Sequence, residues 1–495
     1  MTKRLRYWVC LPLAAAALAF ATAASAANVR PMLESSAFTP LAGPSTPCLN
    51  AGIPCYLPFE IQAAYNFPTG AAGPTGAGQT IVVVTAYGAP FVADDLATFD
   101  YFSGLPDPPS FSVYEQQTPV AGTSGSGLRY FWQVETDLDV QWAHAMAPGA
   151  NIVVAVAKTD DTLNVAQVLR EVLPTYPGAI VTQSFGADET GPASDPAFSS
   201  TFSPLYLDVL RRGGTVLASA GDLGSSNGTE LESLDFPELH ITPSAMAAYP
   251  ASDPLVLAVG GTEGDPYPDG LLTDAGMYGR EQAWNEVVIG PGVFSLGAGG
   301  GAPSQLFDAP PWQRSLKTKD RLEPDVSYNA ALVGGALVIL SCRRGPGGGL
   351  DPGCVDSSRQ GYVAVGGTSA GTPQWAAIVA LANELRARQL KPPVGLVSAV
   401  LYEIAKNKQA YAQDFHDITA GNNALDLTPF GLDVSQFGFA AAPGYDLATG
   451  LGTPNVANLL ADLSKRGSGA IPGNLRRLGN DRDGHGKQHQ FDPSK

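Results

Sequence analysis

The sequence predicts an α/β fold, a single domain whose mostly parallel central sheet is covered by helices on both faces. Five short apolar runs lack polar alternation and predict strands buried on both faces, at residues 79–86, 152–157, 179–183, 215–220 and 255–259. Helical patterns alternate with these strands, at residues 130–146, 161–173 and 205–212. This alternation indicates a parallel sheet, because two parallel strands need a crossover connection between them.

Composition narrows the class of protein. The chain has 495 residues, of which 44% are hydrophobic and 15% are charged, so most of it can form a large buried core rather than remain disordered. The 46 acidic residues outnumber the 29 lysines and arginines, which gives a net charge of -17. This balance argues against nucleic acid or an anionic membrane as a partner. It also suits an acidic medium, where facing carboxylates can protonate.

The two ends of the chain differ from the domain between them. Basic residues precede an apolar run over residues 7–24 and small residues at 24–26, which predicts a signal peptide over residues 1–26 and a secreted protein. A membrane anchor is the alternative. Residues 27–55 form a Pro- and Ser-rich leader, residues 56–465 the predicted domain, and residues 466–495 a polar tail predicted to be disordered.

Four cysteines remain after removal of the signal, namely Cys48, Cys55, Cys342 and Cys354. An even number of cysteines in an exported chain predicts two disulfides, with local pairing as the simplest arrangement. Metal binding is the competing interpretation, but no cysteine pair has zinc-finger spacing and no histidine lies nearby.

The strongest local motif runs from Gly366 to Pro373 and precedes an apolar helix predicted over residues 374–385. Its glycines allow a sharp turn after a strand predicted at 362–365, and Pro373 suits the first turn of a helix. Ser369 would then lie at a helix N-terminus, where backbone N–H groups favour a developing anion. On this pattern alone a helix-capping serine is the commoner outcome, and a nucleophile is the alternative.

A serine nucleophile needs a general base, and no histidine suits that role. Of the five histidines, two lie in the polar tail, and the others lack the flanking Gly-Thr context of a subtilisin-type catalytic histidine. The base is therefore expected to be another type of residue.

Two carboxylates share one face of the helix predicted at residues 130–146. Glu135 and Asp139 are spaced four residues apart, and Trp142 and Met146 continue the same face. Burying two like charges is costly, so the pair would hold a proton between its members, and one pKa would rise into the range of a base that works in acid. A solvated acidic patch is the alternative.

Asp222 follows a predicted strand in a Gly-rich turn, which is where α/β sheets place functional groups. A protonated Asp222 could donate a hydrogen bond to an oxyanion. An aspartate that only forms the turn is the commoner role.

Together these motifs resemble the sedolisin family of serine-carboxyl peptidases, over residues 57–463. The resemblance implies a subtilisin-like fold in which a glutamate replaces the histidine base. The matching segments are residues 65–68, 76–81, 135–148, 184–186, 221–222, 249–262, 324–327, 367–373 and 450–454.

The resemblance implies a role for each candidate residue. Ser369 would be the nucleophile, Glu135 its general base, Asp139 the group that orients Glu135 and shares its proton, and Asp222 the oxyanion donor. The implied activity is that of a secreted, acid-acting endopeptidase that cleaves protein or peptide substrates through an acyl-enzyme. A subtilisin-type Ser-His-Asp protease and an inactive binding protein are the alternatives.

The resemblance also implies one structural Ca²⁺ site near the C-terminus. Its ligands would be the carboxylates of Asp417 and Asp446 and the backbone carbonyls of Ile418, Ala442 and Gly444, an oxygen-only set that suits a hard cation. Two turn-forming aspartates are the alternative.

Relatives carry a long N-terminal prodomain, whereas about thirty residues separate Ala26 from the predicted domain here. This difference implies either folding without a covalent prodomain or a prodomain-like chaperone supplied by another chain. After signal removal we expect a monomer without a membrane partner.

Overall fold

A computed structural model describes residues 28–35, 39–40, 55–70, 72–118, 120, 128–189, 196–226, 245–264, 270–273, 276–290, 293–341, 360–425 and 438–471. No helix in this part of the chain is long and apolar enough to cross a membrane. The predicted signal peptide lies outside the described residues, as do Cys48, Cys342 and Cys354, so the signal and the disulfide pairing stay predictions. The described chain ends at Ile471, six residues into the predicted tail, where the N–H of Gly469 donates to the carbonyl of Val394 at 2.8 Å.

The α-helices of the described residues are α1 (Pro58–Ala64), α2 (Val92–Ser103), α3 (Arg129–Met146), α4 (Thr162–Val172), α5 (Pro196–Arg211), α6 (Thr368–Arg388), α7 (Val397–Ala405), α8 (Lys408–Asp414) and α9 (Val456–Lys465).

The strands of the described residues are β1 (Arg30–Pro31), β2 (Glu34–Ser35), β3 (Thr39–Pro40), β4 (Cys55–Tyr56), β5 (Thr80–Ala86), β6 (Phe111–Glu115), β7 (Asn151–Ala157), β8 (Ile180–Gln183), β9 (Phe185–Asp188), β10 (Thr215–Ser219), β11 (Ala248–Tyr249), β12 (Leu257–Gly264), β13 (Glu281–Ala283), β14 (Asn285–Gly290), β15 (Val293–Ala298), β16 (Ala302–Asp308), β17 (Asp320–Glu323), β18 (Val326–Asn329), β19 (Gly335–Ser341), β20 (Gln360–Gly366), β21 (Phe415–His416) and β22 (Thr453–Pro454).

The main sheet has eight strands in the order β13-β12-β10-β8-β5-β7-β6, and β18 also pairs with β12. Every pair is parallel except β12 with β13. Helices α3 and α6 pack on each other and on the sheet, and α4 and α5 form a second pair that does the same. Helices thus cover both faces, which confirms the predicted α/β architecture.

A second sheet places α3 in the middle of the molecule. Its strands follow the order β2-β20-β19-β4, with β3 also paired to β20. Helix α3 contacts β5 of the main sheet on one side and β19 of the second sheet on another. Its residues from Trp132 to Met146 are therefore all buried, polar ones included. The side-chain amide of Gln141 forms two hydrogen bonds with Ile339 in β19: its Nε2 donates to the backbone carbonyl, and its Oε1 accepts from the backbone N–H.

Two helices begin earlier than the sequence predicts. The predicted starts are too late because each helix contains an interior proline, a residue that usually marks a helix start. Helix α5 starts at Pro196 instead of residue 205 and contains Pro204. Helix α6 starts at Thr368 instead of residue 374 and contains Pro373. Proline lacks the N–H that a helix interior uses, so it suggests a start where the structure has an interior position. Ser369 consequently lies in the first turn of α6, as the prediction requires.

Candidate active site

The candidate site lies at the carboxyl ends of β8 and β10 and combines four parts of the chain. Helix α3 supplies Glu135 and Asp139, the first turn of α6 supplies Ser369, and the turn after β10 supplies Asp222. Ser184 lies between β8 and β9. The structure therefore brings together all four residues that the sequence singled out.

Ser369 is positioned toward a carboxylate. Its Oγ donates to Glu135 Oε2 at 2.9 Å and lies 3.2 Å from the carbonyl oxygen of Ser184. Gly367 makes the turn from β20 into α6 with a φ of 106°, a conformation that favours glycine. A Cβ at Gly367 would also lie 2.5 Å from Asp222 Oδ2, so the turn leaves no room for a side chain.

The two carboxyl groups of α3 form a buried pair. Ser184 Oγ donates to Asp139 Oδ1 at 2.6 Å. Glu135 Oε1 and Asp139 Oδ2 are buried, and no hydroxyl or N–H group of the described residues donates a hydrogen bond to either oxygen. Burial, followed by the nearby charge of Asp139, raises the pKa of Glu135, and burial raises the pKa of Asp139 to about 8. A proton shared between these two oxygens relieves the repulsion and leaves Glu135 Oε2 to accept from Ser369.

The two carboxyl oxygens of Asp222 differ in their hydrogen bonding. Its Oδ1 accepts from the backbone N–H of Thr368 at 2.9 Å and from Thr368 Oγ1 at 2.7 Å. Its Oδ2 is buried and has no hydrogen-bond partner among the described residues. Burial raises the pKa of Asp222 to about 6, although the bonds from Thr368 oppose the rise. In acid the carboxyl is therefore protonated, and the proton belongs on Oδ2.

Part of the leader lies as a strand across the site. Strand β1 pairs antiparallel with β9, so that Arg30 lies opposite Gly186 and Pro31 opposite Phe185. Farther along the chain, β2 pairs antiparallel with β20. The leader thus continues the edges of two sheets, one on either side of Ser369.

Met32 lies at the centre of this segment. Its N–H donates to the carbonyl of Ser184 at 3.2 Å, and its carbonyl oxygen accepts from the N–H of Ser369 at 3.0 Å. This oxygen and Asp222 Oδ2 each lie 2.5 Å from the point where Gly367 would carry a Cβ, so they are close neighbours. The carbonyl of Met32 therefore lies near Asp222, the predicted oxyanion donor, and is hydrogen-bonded to the backbone N–H of Ser369.

No described histidine bonds to Ser369. His144 Nε2 lies 2.8 Å from the carbonyl oxygen of Pro106, and His416 stacks on the ring of Tyr278 with centroids 3.6 Å apart. The other three histidines lie outside the described residues. Glu135 is accordingly the base candidate that the described geometry offers.

The predicted calcium ligands also lie together. Gly444 N–H donates to both carboxylate oxygens of Asp417 at 3.0 Å, and Ala442 N–H donates to Asp446 Oδ2 at 2.9 Å. The hydroxyl of Tyr411 donates to Asp417 Oδ1 at 2.9 Å. Burial, followed by the charge of Asp417 and, last, that of Asp446, raises the pKa of Tyr411. No group among the described residues donates to the carbonyl of Ile418, Ala442 or Gly444.

This arrangement suits a hard cation, because its potential ligands are all oxygens, from side-chain carboxylates and from backbone carbonyls. Two carboxylates and three carbonyls that accept no hydrogen bond match the predicted set. The described ranges contain no cluster of three His, Cys, Asp or Glu side chains able to hold a metal, so a cation here would depend on the backbone.

Sequence reasoning missed two contributors to the site, Ser184 and Thr368. Ser184 directly follows a buried strand, and Thr368 directly precedes the nucleophile candidate, so each carried a positional signal. The polar group after a strand is the cue that had singled out Asp222. The leader carried no such cue.

The fold and the site define a class of protein, a subtilisin-like α/β protein. Within the described residues, a carboxyl group and not a histidine accepts the hydrogen bond from the candidate serine. No protein-family model matches the chain. Kumamolisin of Bacillus sp. (strain MN-32) is 31% identical over 435 residues, which cover 84% of this chain and 65% of kumamolisin. Sedolisin of Pseudomonas sp. (strain 101) is 26% identical over 420 residues, which cover 83% and 62%. Mouse tripeptidyl-peptidase 1 is 29% identical over 365 residues, which cover 72% and 55%.

A solved structure supports the same assignment at the level of the fold. Pseudomonas sedolisin, a serine-carboxyl proteinase complexed with two molecules of pseudo-iodotyrostatin, superposes with a TM-score of 0.63 at 24% identity, over 84% of this chain and 99% of that one. The chain spans less than two thirds of the length of the curated relatives named above. It belongs to the sedolisin family, and the predicted resemblance is confirmed.

The buried carboxyls predict a fold that is most stable in acid. Burial raises the pKa of Asp139, Asp222 and Asp137 above the values that these groups have in an unfolded chain. At a pH between the unfolded and the folded pKa values, the folded state therefore binds more protons than the unfolded state. Their stabilising contribution is complete below about pH 4, the unfolded value, and is lost as the pH rises through the folded values of about 6 to 8. We expect the melting temperature of Ser369→Ala, which avoids self-digestion, to fall by about 10 °C from pH 4 to pH 8.

Thermal melts at pH 4, 6 and 8, with calcium in constant excess, check this expectation. Asp222→Asn in the same background should show a shallower fall, since it removes one of the titrating groups. A melting temperature that rises across this range would contradict the assignment of these pKa directions.

Proposed function

We propose that this protein is a secreted, acid-acting serine-carboxyl endopeptidase. The observation that carries the proposal is the 2.9 Å hydrogen bond from Ser369 Oγ to Glu135, a carboxyl that is buried and paired with Asp139. A serine that donates to such a group has a general base within reach, which is the requirement for nucleophilic catalysis.

The proposed reaction proceeds through an acyl-enzyme. Glu135 takes the hydroxyl proton of Ser369 while Oγ attacks the substrate carbonyl carbon, and Asp139 orients Glu135 and shares a proton with it. The Ser369 N–H and the protonated Asp222 donate to the oxyanion. Glu135 then protonates the leaving amine, and water hydrolyses the ester. Because Asp222 must be protonated to donate this hydrogen bond, the proposed reaction requires an acidic pH.

The path of the leader supports endopeptidase action. Upstream of Met32 the chain keeps pairing along the cleft, through β1 and up to the N–H of Val29, which donates to the carbonyl of Asp160 at 2.9 Å. The cleft therefore accommodates more than three residues before the carbonyl at Ser369. A tripeptidyl exopeptidase would need the cleft to close after the third residue.

An assay on a denatured protein at pH 4 and pH 7 tests the proposal against its alternatives. Cleavage confined to acid, with internal product termini, is the expected result. A cleavage rate at pH 7 that equals or exceeds the rate at pH 4 would favour a subtilisin-type mechanism. The absence of cleavage at both pH values would favour a non-catalytic binding protein. Secretion is tested separately by N-terminal sequencing of protein recovered from the medium.

We also propose that Asp417, Asp446 and the carbonyls of Ile418, Ala442 and Gly444 hold one structural Ca²⁺. The ion would link Asp417 to Asp446 across about thirty residues of chain. The favourable oxygen set described above supports this proposal.

Chelation is expected to destabilise the protein, because an ion that binds only the native state stabilises it by mass action. At pH 6, removing calcium from Ser369→Ala should lower the melting temperature by about 5 °C or more, and added Ca²⁺ should restore it. Asp417→Asn should lose this response, whereas Asp308→Asn, in β16, should retain it. A wild-type melting temperature indifferent to chelator would contradict the site.

A further inference from the structure

We propose that Thr368 is a positioning residue that holds Asp222 in the orientation in which it donates to the oxyanion. This inference rests on the proposed function and gives a role to a residue that the sequence left without one. Thr368 immediately precedes Ser369 in the first turn of α6. One short segment would then supply the nucleophile and also control the group that stabilises the oxyanion.

Two donors of Thr368 converge on one oxygen of Asp222. The backbone nitrogen lies 2.9 Å from Asp222 Oδ1, and the hydroxyl oxygen lies 2.7 Å from the same atom. A carboxyl oxygen that already accepts two hydrogen bonds is a poor place for a proton, because the proton would face two donors. The proton of a neutral Asp222 therefore belongs on Oδ2, the oxygen proposed to donate to the oxyanion.

The neighbours of the Thr368 hydroxyl leave its single hydrogen with one good acceptor. The N–H of Gly221 donates to Thr368 Oγ1 at 3.2 Å, so this oxygen already acts as an acceptor. The carbonyl oxygen of Gly221 lies 3.4 Å away and accepts instead from the N–H of Gly300 at 2.7 Å. Asp222 Oδ1 is nearer to the hydroxyl, at 2.7 Å, and forms the stronger bond. The hydroxyl thus accepts from the turn and donates to the carboxyl group.

The backbone of Asp222 is held separately from its side chain. Its carbonyl oxygen accepts from the N–H of Ala298 at 2.9 Å, which fixes the main chain but leaves the carboxyl group free to rotate. A half turn of that group would exchange Oδ1 and Oδ2 and direct the proton away from the reacting carbonyl. The bonds from Thr368 oppose this rotation, because the rotated carboxyl would direct its O–H toward two donors. Both residues are buried, so bulk water does not replace these bonds.

The bonds that orient Asp222 also affect the pH at which it loses its proton. Burial raises the pKa of Asp222 to about 6, and the bonds from Thr368 oppose the rise, since they favour the ionised carboxylate. Arg30 in β1 lowers the same pKa, and Glu135 in α3 is the carboxyl group that faces Asp222 among the described residues. Loss of the hydroxyl should therefore raise the pKa of Asp222, so that the protonated donor persists to higher pH.

Thr368→Val and Thr368→Ser provide the test, with kcat/KM on a peptide measured from pH 3 to pH 8. Valine removes the hydroxyl but keeps the branched shape and the backbone N–H. At pH 4 it should lower kcat and kcat/KM equally, by about tenfold, which is the effect of one hydrogen bond lost from the transition state. Its alkaline limb should move upward by about one pH unit. Serine keeps the hydroxyl and should retain most of the activity and the wild-type limb.

Thr372→Val is the matched control for a lost buried hydroxyl in the same helix. Thr372 Oγ1 donates to the carbonyl oxygen of Thr368 at 2.9 Å, one turn farther along α6. Its replacement should leave the alkaline limb where it lies in wild type, because this hydroxyl bonds to the helix backbone and not to Asp222. An alkaline limb that Thr368→Val leaves unchanged, or that Thr372→Val moves by the same amount, would overturn the inference.

A double-mutant cycle separates positioning of Asp222 from a general effect on the fold. If Thr368 acts through Asp222, then Thr368→Val should cost about tenfold in kcat/KM when Asp222 is present and less than about twofold in the Asp222→Ala background. A hydroxyl that only stabilises the start of α6 would cost the same in both backgrounds. Equal costs, measured at pH 4 well below the melting temperature of each variant, would refute the positioning role.

The activity of wild type separates this inference from the function on which it rests. Wild type that cleaves the peptide in acid, together with a Thr368→Val variant that has the wild-type limb and equal costs in both backgrounds, contradicts the role of Thr368 and leaves the peptidase assignment standing. Wild type that cleaves no peptide at any pH in this range contradicts the peptidase assignment itself.

Discussion

Replacing Ser369 by alanine is expected to reduce kcat/KM on a peptide substrate to below about one per cent of the wild-type value in acid. The change deletes one hydroxyl, and with it the hydrogen bond to Glu135 and the proposed nucleophile. The backbone of Ser369 still belongs to the first turn of α6 and is unaffected by the loss of Oγ. The melting temperature should therefore stay within about 3 °C of wild type at the same pH.

Glu135→Gln should lose nearly as much activity, because members of one catalytic unit fail together rather than additively. Glutamine keeps the size of the side chain but cannot take the Ser369 proton. Glu403→Gln is the matched control, since Glu403 lies in α7 with its side chain 56% exposed and should leave kcat/KM unchanged. Activity above about one per cent in Ser369→Ala or Glu135→Gln would contradict the proposed mechanism.

The sequence predicted the parts of the fold that repeat one pattern. Five of the eight main-sheet strands appeared as apolar runs because helices cover both faces, and the structure places these five within two residues of most predicted bounds, for example Thr80–Ala86 for residues 79–86. Strands β6, β13 and β18 were not predicted. Helix α3 was predicted over 130–146 and spans Arg129–Met146. What periodicity could not predict is that α3 is buried on every side from Trp132 to Met146, because that burial depends on the distant strand β19.

The candidate site, like the fold, was predictable only in part. Glu135 and Asp139 were marked by four-residue spacing and Asp222 by its place after a strand, although only the family resemblance gave these residues roles. Ser184 lies in the matching segment 184–186 but received no predicted role, because a serine after a strand is common and its hydrogen bond to Asp139 joins residues far apart in sequence. The leader's position was invisible, since its strands are two residues long and exist only through pairing with β9 and β20.

The role of Asp222 gives the second large effect, and its geometry decides which replacements should work. The proposed donor is Oδ2, because Oδ1 already accepts from the N–H and the hydroxyl of Thr368. Asparagine can keep its carbonyl oxygen at the Oδ1 position and direct its NH₂ group where Oδ2 lay. Alanine removes the donor and should cost on the order of 3 kcal/mol of transition-state stabilisation, roughly a hundredfold in kcat/KM.

The pH profile distinguishes a donor from a carboxylate that only shapes the turn. Burial raises the pKa of Asp222 to about 6, so wild type loses its proton, and with it the donor, as the pH rises through that value. Asp222→Asn cannot ionise, so its activity should exceed that of Asp222→Ala and extend toward neutral pH, as far as the Glu135–Asp139 pair allows. Measuring kcat/KM from pH 3 to pH 8 for wild type and both variants tests this. Equal losses in the two variants across the whole range would show that Asp222 does not donate to the oxyanion, because only one of them retains an N–H at that position.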